Sequence, residues 1–467
     1  MNRTKIICTA GPSVDSEEKI TALVHNGMSV IRFNCSHGNA ATRLNALNIV
    51  RRVEQKLKKP IGVMLDLQGP KIRVGDLAKP LMLTAGEVWC LAPRVTADAT
   101  AKVIPLALSL AEGVDVGGKV FMDDGLIMTE VVKINGHRVW VKIIHGGFLE
   151  SHKGINIPFY RGKLSALSPK DIADVKWGLN HKVDFIALSF VRKAADISRL
   201  KNIISKHHAG YEPLVIAKIE KPEAVAAMDD IIHVSDGILV ARGDLGIELR
   251  PEQVPVVQKL LIERCRYFKK PVIVATQMLD SMRYNPIPTR AEVSDVASAI
   301  YAGTDAALLT GETSSGKYPI QATSMMNRII AEVENHMVVK NFRKKPDDFG
   351  LESAEEAFAF NVMQTADDMD AKAILVLNRR GVLTKIISKM HPKQPVYSMA
   401  STHTAYRQLS LYWGVFPIEL SNKNTNKRIE SGIQTLKAQK IIKKSDRLVC
   451  VYRDFLTDYL NLKIVDV

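Results

Sequence analysis

The sequence predicts an α/β protein: a (β/α)8 TIM barrel, an inserted antiparallel β cap domain and a C-terminal α/β domain. Three observations carry this. Eight short β-branched runs recur along the first 311 residues, most of them separated by segments of helical period. Residues 72–162 switch to alternation with period two. Residues 341–467 then return to alternating helix and strand patterns.

The eight runs are TKIICT (4–9), SVIRFN (29–34), IGVMLDL (61–67), FIALSF (185–190), LVIAKI (214–219), GILVAR (237–242), PVIVAT (271–276) and AALLTG (306–311). Near-continuous apolar strands between amphipathic helices indicate a parallel sheet covered by helices. Eight such units favour closure over an open doubly wound sheet. The barrel is therefore assigned to 1–71 and 163–340. Between the third and fourth runs, KVFMDDGLIMTEVVKINGHRVWVKII and its neighbours alternate apolar and polar residues, with turn signals at 123–125 and 135–137. This is a β-barrel-like domain at 72–162, placed in a βα loop over the barrel mouth. A helix at 321–337 closes the barrel pattern, and 340–350 reads as a linker. Beyond it, strands are expected at 373–378, 395–400, 415–420 and 447–452.

Composition narrows the function. The 467 residues are 46% hydrophobic and 24% charged, which fits a globular protein. No run approaches 18 apolar residues, so no membrane span is expected. The five cysteines are scattered and form no CxxC pair, and no apolar segment follows Met1; a cytoplasmic protein is expected. The net charge of +15 is spread along the chain, without zinc-finger spacing or repeated basic–aromatic patterning. A nucleic-acid partner is therefore not expected.

In such barrels the chemistry gathers at the C-terminal ends of the strands. Strand two ends in Arg32, Asn34, Ser36 and His37; strand three in Asp66, continuing to Lys71 and Arg73. Strand four supplies Ser189, Phe190 and Arg192, strand five Lys218 and Glu220, and strand six Arg242, Gly243 and Asp244. Strand seven adds Thr276 and Gln277, and strand eight Thr310 and Glu312. Lys218 and Glu220 are two apart and share a face. Glu220 and Asp244, from adjacent strands, suit one Mg2+. An ammonium among arginine forks suits a phosphoryl group. GETSSGKY (311–318) approaches a P-loop, but Tyr318 stands where a small hydroxyl is needed.

These residues, in this order, resemble the pyruvate kinase family. The resemblance rests on RTKIICTAGP, RFNCSHG (32–38), LDLQGPKIRVG (65–75), KIEKPEAV (218–225), SDGILVARGDLGIEL (235–249), KPVIVATQMLDSM (270–282), PTRAEVSDVA (288–297) and LLTGETSSGKYP (308–319). Cys35 replaces the usual aromatic and Thr310 a commoner serine. The resemblance implies the last step of glycolysis, phosphoryl transfer from phosphoenolpyruvate to ADP, by a homotetramer. It implies that Lys218 stabilises the transferring group and that Glu220 and Asp244 bind Mg2+ (or Mn2+). Gly243, Asp244, Thr276 and Ser189 would hold substrate with Arg32. Asn34, His37, Arg73 and Lys170 would serve the nucleotide, and Thr276 and Thr310 a proton relay.

Two departures inform regulation. Many members carry Glu at the position of Lys71 and need K+, bound by the equivalents of Asn34, Ser36, Asp66 and the Leu67 carbonyl. Members with Lys there, flanked as here by Leu67, Gln68 and Val74, do not. A tethered ammonium then supplies the charge, so activity without K+ is expected. In the C-terminal domain, NRRGVLTK (378–385) lacks the hydroxyl run of a sugar-phosphate loop, and YRDFLTDYLNLK (452–463) lacks the glycine-rich loop. Both argue against activation by fructose 1,6-bisphosphate, leaving Arg379 and Arg380 as a basic pair.

Overall fold

The computed structural model describes residues 2–93, 101–162, 165–207, 211–339, 350–378, 381–419, 425–453 and 459–467. Residues 340–349 of the linker expected at 340–350, and the pair Arg379 and Arg380, lie outside the described residues.

All eight runs form strands: β1 (Lys5–Thr9), β2 (Met28–Asn34), β3 (Gly62–Asp66), β4 (Phe185–Leu188), β5 (Leu214–Ile219), β6 (Gly237–Ala241), β7 (Val272–Ala275) and β8 (Ala306–Leu309). Each pairs in parallel with its sequence neighbours, and β1 pairs with β8, closing the barrel. Local chemistry fixes several of the helices between them. Asn39 and Thr42 exchange hydrogen bonds at the start of Ala40–Leu57, as do Ser168 and Asp171 before Pro169–Asn180, and Thr289 and Glu292 before Arg290–Ala302. Gly303, at φ 96°, ends the last of these helices in the left-handed region that glycine tolerates.

The insertion forms a seven-stranded sheet, in which Ile72–Arg73 lies at one edge and Val103–Leu106 at the other. An isolated bridge between Val74 and Leu106 joins those edges. The sheet is therefore nearly a barrel. One pairing differs from the antiparallel expectation: Val88–Pro93 and Val103–Leu106 run parallel. Alternation with period two is common to both kinds of pairing, so the sequence pattern does not tell them apart.

The C-terminal sheet has five strands where four are expected. The fifth, Leu460–Asp466, runs antiparallel along Arg447–Arg453. Leu460, Asn461, Leu462, Lys463 and Ile464 alternate apolar and polar residues, a signal that the expected strand set leaves out.

The C-terminal domain plugs the barrel floor. Ile7, Val30, Met64, Phe185, Ile216, Leu239 and Ile273 form one apolar cluster with Ile387, Met390, Leu411, Tyr412 and Val415. Ionic contacts tie the same surface. Arg407 grips Glu54 at 2.7 and 2.9 Å, and Lys5 Nζ donates to the Val415 carbonyl at 2.7 Å. Lys389 reaches Asp305 at 2.5 Å, with both side chains at most 1% exposed. Asp305 Oδ2 also accepts the Val272 amide. Removing one member of a buried pair strands the other charge, at a cost of about 3–5 kcal/mol. We predict that Lys389→Met lowers the midpoint of urea unfolding, and that adding Asp305→Asn restores part of the loss. An unchanged midpoint in Lys389→Met contradicts this reading.

Candidate active site

Closure of the sheet brings β2, β3, β4 and β5 side by side, and their last residues meet at the mouth. Arg32, 9% exposed, directs Nε and Nη2 at Asp66 Oδ2, each at 2.7 Å. Its Nη1 donates to Thr9 Oγ1 at 3.0 Å. Asp66 Oδ1 lies 3.3 Å from Lys218 Nζ. Lys218 donates to Ser189 Oγ at 2.8 Å, and Ser189 donates to the Leu67 carbonyl at 2.7 Å. Asp66, Ser189 and Glu220 are at most 3% exposed.

The charges in this cluster set one another. Burial alone would raise the Asp66 carboxyl; Lys218 and Arg32 outweigh it and hold the group below its ordinary value. Burial opposes the Lys218 ammonium, but Asp66 and Glu220 hold it above the ordinary lysine value. Glu220 goes the other way. Burial pushes its carboxyl up, Lys218 draws it back, and the charge of Asp244 adds to the rise.

Glu220 Oε2 accepts the Phe190 amide at 2.7 Å. Phe190 itself stands at φ 54°, unusual for a bulky residue, and its bond to a buried carboxylate offsets that strain. Glu220 Oε1 lies 2.8 Å from Lys218 Nζ, its ionic partner. A buried carboxylate that also feels the charge of a second carboxylate, Asp244, is a half-site for a hard cation. The residues present fit a divalent ion.

Asp244 lies in the first turn of the helix Arg242–Glu248, which follows β6 directly. The Gly243 amide donates to Thr276 Oγ1 at 2.7 Å, and that hydroxyl donates to the Ala275 carbonyl at 2.6 Å. Thr276 has φ 69° and Gln277 φ 52°. A β-branched residue held there is strained, and Arg242 shows what holds it. Its guanidinium binds the Thr276 and Gln277 carbonyls at 2.9 and 3.2 Å and both oxygens of Asp295. Arg242 therefore clamps the turn.

Thr310, after β8, bonds Glu312 Oε2 through its amide at 2.7 Å and its hydroxyl at 3.2 Å. Glu312 is fully buried and also accepts the Leu279 amide. The GETSSGKY segment thus holds a structural carboxylate.

The nucleotide-side candidates are looser. Asn34 Oδ1 accepts the Ser36 amide at 3.0 Å, and His37 is exposed. Lys170 donates to the Cys35 carbonyl at 2.6 Å and pairs with Asp174 at 2.8 Å. Arg73 donates to the His152 carbonyl within the cap at 2.9 Å. Lys71 crosses from cap to barrel. Its ammonium stands 3.6 Å from Asp124 and 3.7 Å from Asp244. Gly154 makes room for it: a Cβ there would lie 2.4 Å from Lys71 Cε.

Three contributors escape a reading confined to strands two to eight. Thr9 ends β1 and could have been found as the eighth polar strand end. Asp124 lies in a segment that reads only as a turn. Asp295 sits in mid-helix, within the segment PTRAEVSDVA (288–297), from which no site residue is singled out.

Comparison with known proteins agrees with this geometry. Residues 1–323 match the family model "Pyruvate kinase, barrel domain" and 356–459 the model "Pyruvate kinase, alpha/beta domain". A pyruvate kinase of Bacillus licheniformis is 38% identical over 456 residues, covering 96% of this chain and 77% of that protein. One of Clostridium acetobutylicum is 37% identical over 444 residues, covering 92% and 93%. The crystal structure of a pyruvate kinase from Cryptosporidium parvum superposes with a TM-score of 0.92 at 33% identity, over 100% of this chain and 96% of that one. Eight closed strands, a cap, a plugged floor and these matches lead to one conclusion: the chain belongs to the pyruvate kinase family and is a phosphotransferase.

Proposed function

We propose that this enzyme transfers the phosphoryl group of phosphoenolpyruvate to ADP in a Mg2+-dependent reaction and protonates the enolate that remains. The observation that carries this is the Lys218 ammonium, buried between the carboxylates of Asp66 and Glu220 beside the Arg32 guanidinium. Glu220 and Asp244 would hold the divalent ion, which when bound supplies charge neutralisation for the substrate oxygens.

The protein's own groups do the rest. Arg32 is fixed by Asp66 and Thr9, so its guanidinium is oriented before substrate arrives. Lys218 follows the phosphoryl group as its bond to the enol oxygen breaks and its bond to the ADP oxygen forms. The amides of Gly243 and Asp244 bind the substrate carboxylate, with Gly243 giving up its bond to Thr276. Ser189 keeps Lys218 aimed. Asn34, His37, Arg73 and Lys170 receive the nucleotide. Thr276 and Thr310 place the water that delivers a proton to the methylene carbon.

Lys71 supports independence from K+. Its ammonium lies beside Asp244, and the oxygens that would bind a monovalent ion are engaged: Asp66 by Arg32 and Lys218, the Leu67 carbonyl by Ser189, Asn34 by the Ser36 amide. A homotetramer fits the exposed apolar residues Val256 and Leu260 on the helix Val254–Tyr267, together with Ile287 and Tyr301. The five cysteines are buried and free, which suits the reducing cytoplasm.

A lactate dehydrogenase-coupled assay tests the reaction. We predict Mg2+-dependent turnover of phosphoenolpyruvate with ADP, and a loss of about 10^3-fold in kcat for Lys218→Met. Equal background rates in wild type and variant would reject the assignment. The same assay in tetramethylammonium buffer should retain most of the rate seen in K+; a rate below about a tenth would refute the role given to Lys71.

A further inference from the structure

The sheet does not by itself fix the distance between the two carboxylates read as metal ligands. The ladder between β5 and β6 ends where Ile219 meets Val240. Glu220 is the first residue beyond it on one strand. Asp244 lies beyond it on the other, in the first turn of the helix Arg242–Glu248. Mg2+ demands near-ideal octahedral geometry, so something past the ladder must space its two acids.

A buried ion pair spans this gap. Lys221, directly after Glu220, reaches the carboxylate of Glu248. Glu248 closes the helix that carries Asp244 and stands four residues after it, on the same face. The Glu248 side chain is fully buried, and that of Lys221 is 14% exposed. Two further contacts fix the pair. Asn156 Nδ2, at the end of the last cap strand, donates to Glu248 Oε1 at 3.1 Å. Lys221 Nζ donates to the Ile157 carbonyl at 3.4 Å. Burial pushes the Glu248 carboxyl up, and Lys221 and Asn156 draw it part of the way back.

The helix is thus held at both ends. Arg242 clamps its start to the Thr276 and Gln277 carbonyls. Glu248 ties its end to the residue that follows Glu220. A shift of either segment along the barrel mouth would break the pair and strand a buried charge.

We propose that Lys221 and Glu248 are positioning residues, whose ion pair sets the separation of Glu220 and Asp244 and so the affinity for the divalent ion. This rests on the reading of those two acids as the metal ligands. Neither Lys221 nor Glu248 is assigned a contact with the reacting atoms. Their effect passes through the backbone, along one peptide bond to Glu220 and one helical turn to Asp244.

Mn2+ binding to the full chain without substrates, followed by electron paramagnetic resonance of the free ion, tests the pair apart from turnover. Lys221→Met and Glu248→Gln should each weaken Mn2+ binding by about tenfold or more, and Lys221→Arg should retain most of the affinity. In the coupled assay, the Mg2+ concentration at half-maximal rate should rise alongside, by a larger factor than kcat at saturating Mg2+ falls. Lys389→Met breaks a buried pair at the barrel floor and should leave Mn2+ affinity unchanged, which separates positioning from general destabilisation. Glu248→Gln keeps the shape of the side chain and decides the matter if Lys221→Met fails to fold. Wild-type affinity in Glu248→Gln, equal weakening in Lys389→Met, or a loss of kcat with Mn2+ affinity unchanged would each overturn the proposal. No Mn2+ bound by the wild type, or full binding by both Glu220→Gln and Asp244→Asn, would instead overturn the reading beneath it.

Discussion

The site depends on one arrangement: the Lys218 ammonium buried between two carboxylates that arrive on different strands. Asp66 ends β3 and Glu220 follows β5, and neither could approach the other without a third group to neutralise them. The lysine does this only in part. Asp66 meets two cations, Arg32 at 2.7 Å and Lys218 at 3.3 Å, whereas among the described residues Glu220 meets Lys218 alone, at 2.8 Å. The charge of Asp244 also acts on Glu220, and the two acids of similar burial therefore differ in their surroundings.

Other features of the fold follow from keeping that arrangement in place. The C-terminal domain packs apolar side chains against the floor of the barrel. Strained backbone at Phe190 and Thr276 is held by bonds to Glu220 and Arg242, which turn amides and hydroxyls toward the site. Lys71 and Gly154 sit where the cap joins the barrel, and Lys71 reaches Asp244 from there. The position of the cap and the environment of the second acidic residue are therefore linked through one side chain.

The barrel was legible because its strands are buried on both faces and read as uninterrupted apolar runs. Its site was legible because side chains two apart on a strand share a face, which places Lys218 and Glu220 together before any coordinates exist. The edge strand Leu460–Asp466 does alternate over Leu460 to Ile464, but the signal is short and the expected strand set leaves it out. The parallel pairing within the cap was not legible, because period-two alternation is the same for parallel and antiparallel partners. The clamp formed by Arg242 and Asp295 joins residues 53 apart in sequence, and only the closed barrel brings them together.

The most direct test of this account is metal binding without turnover. Electron paramagnetic resonance of free Mn2+ counts the ions that the enzyme removes from solution. The account predicts one Mn2+ per chain in the wild type, with affinity reduced about tenfold or more in Glu220→Gln and in Asp244→Asn. Undiminished binding in both variants, or none in the wild type, would contradict it.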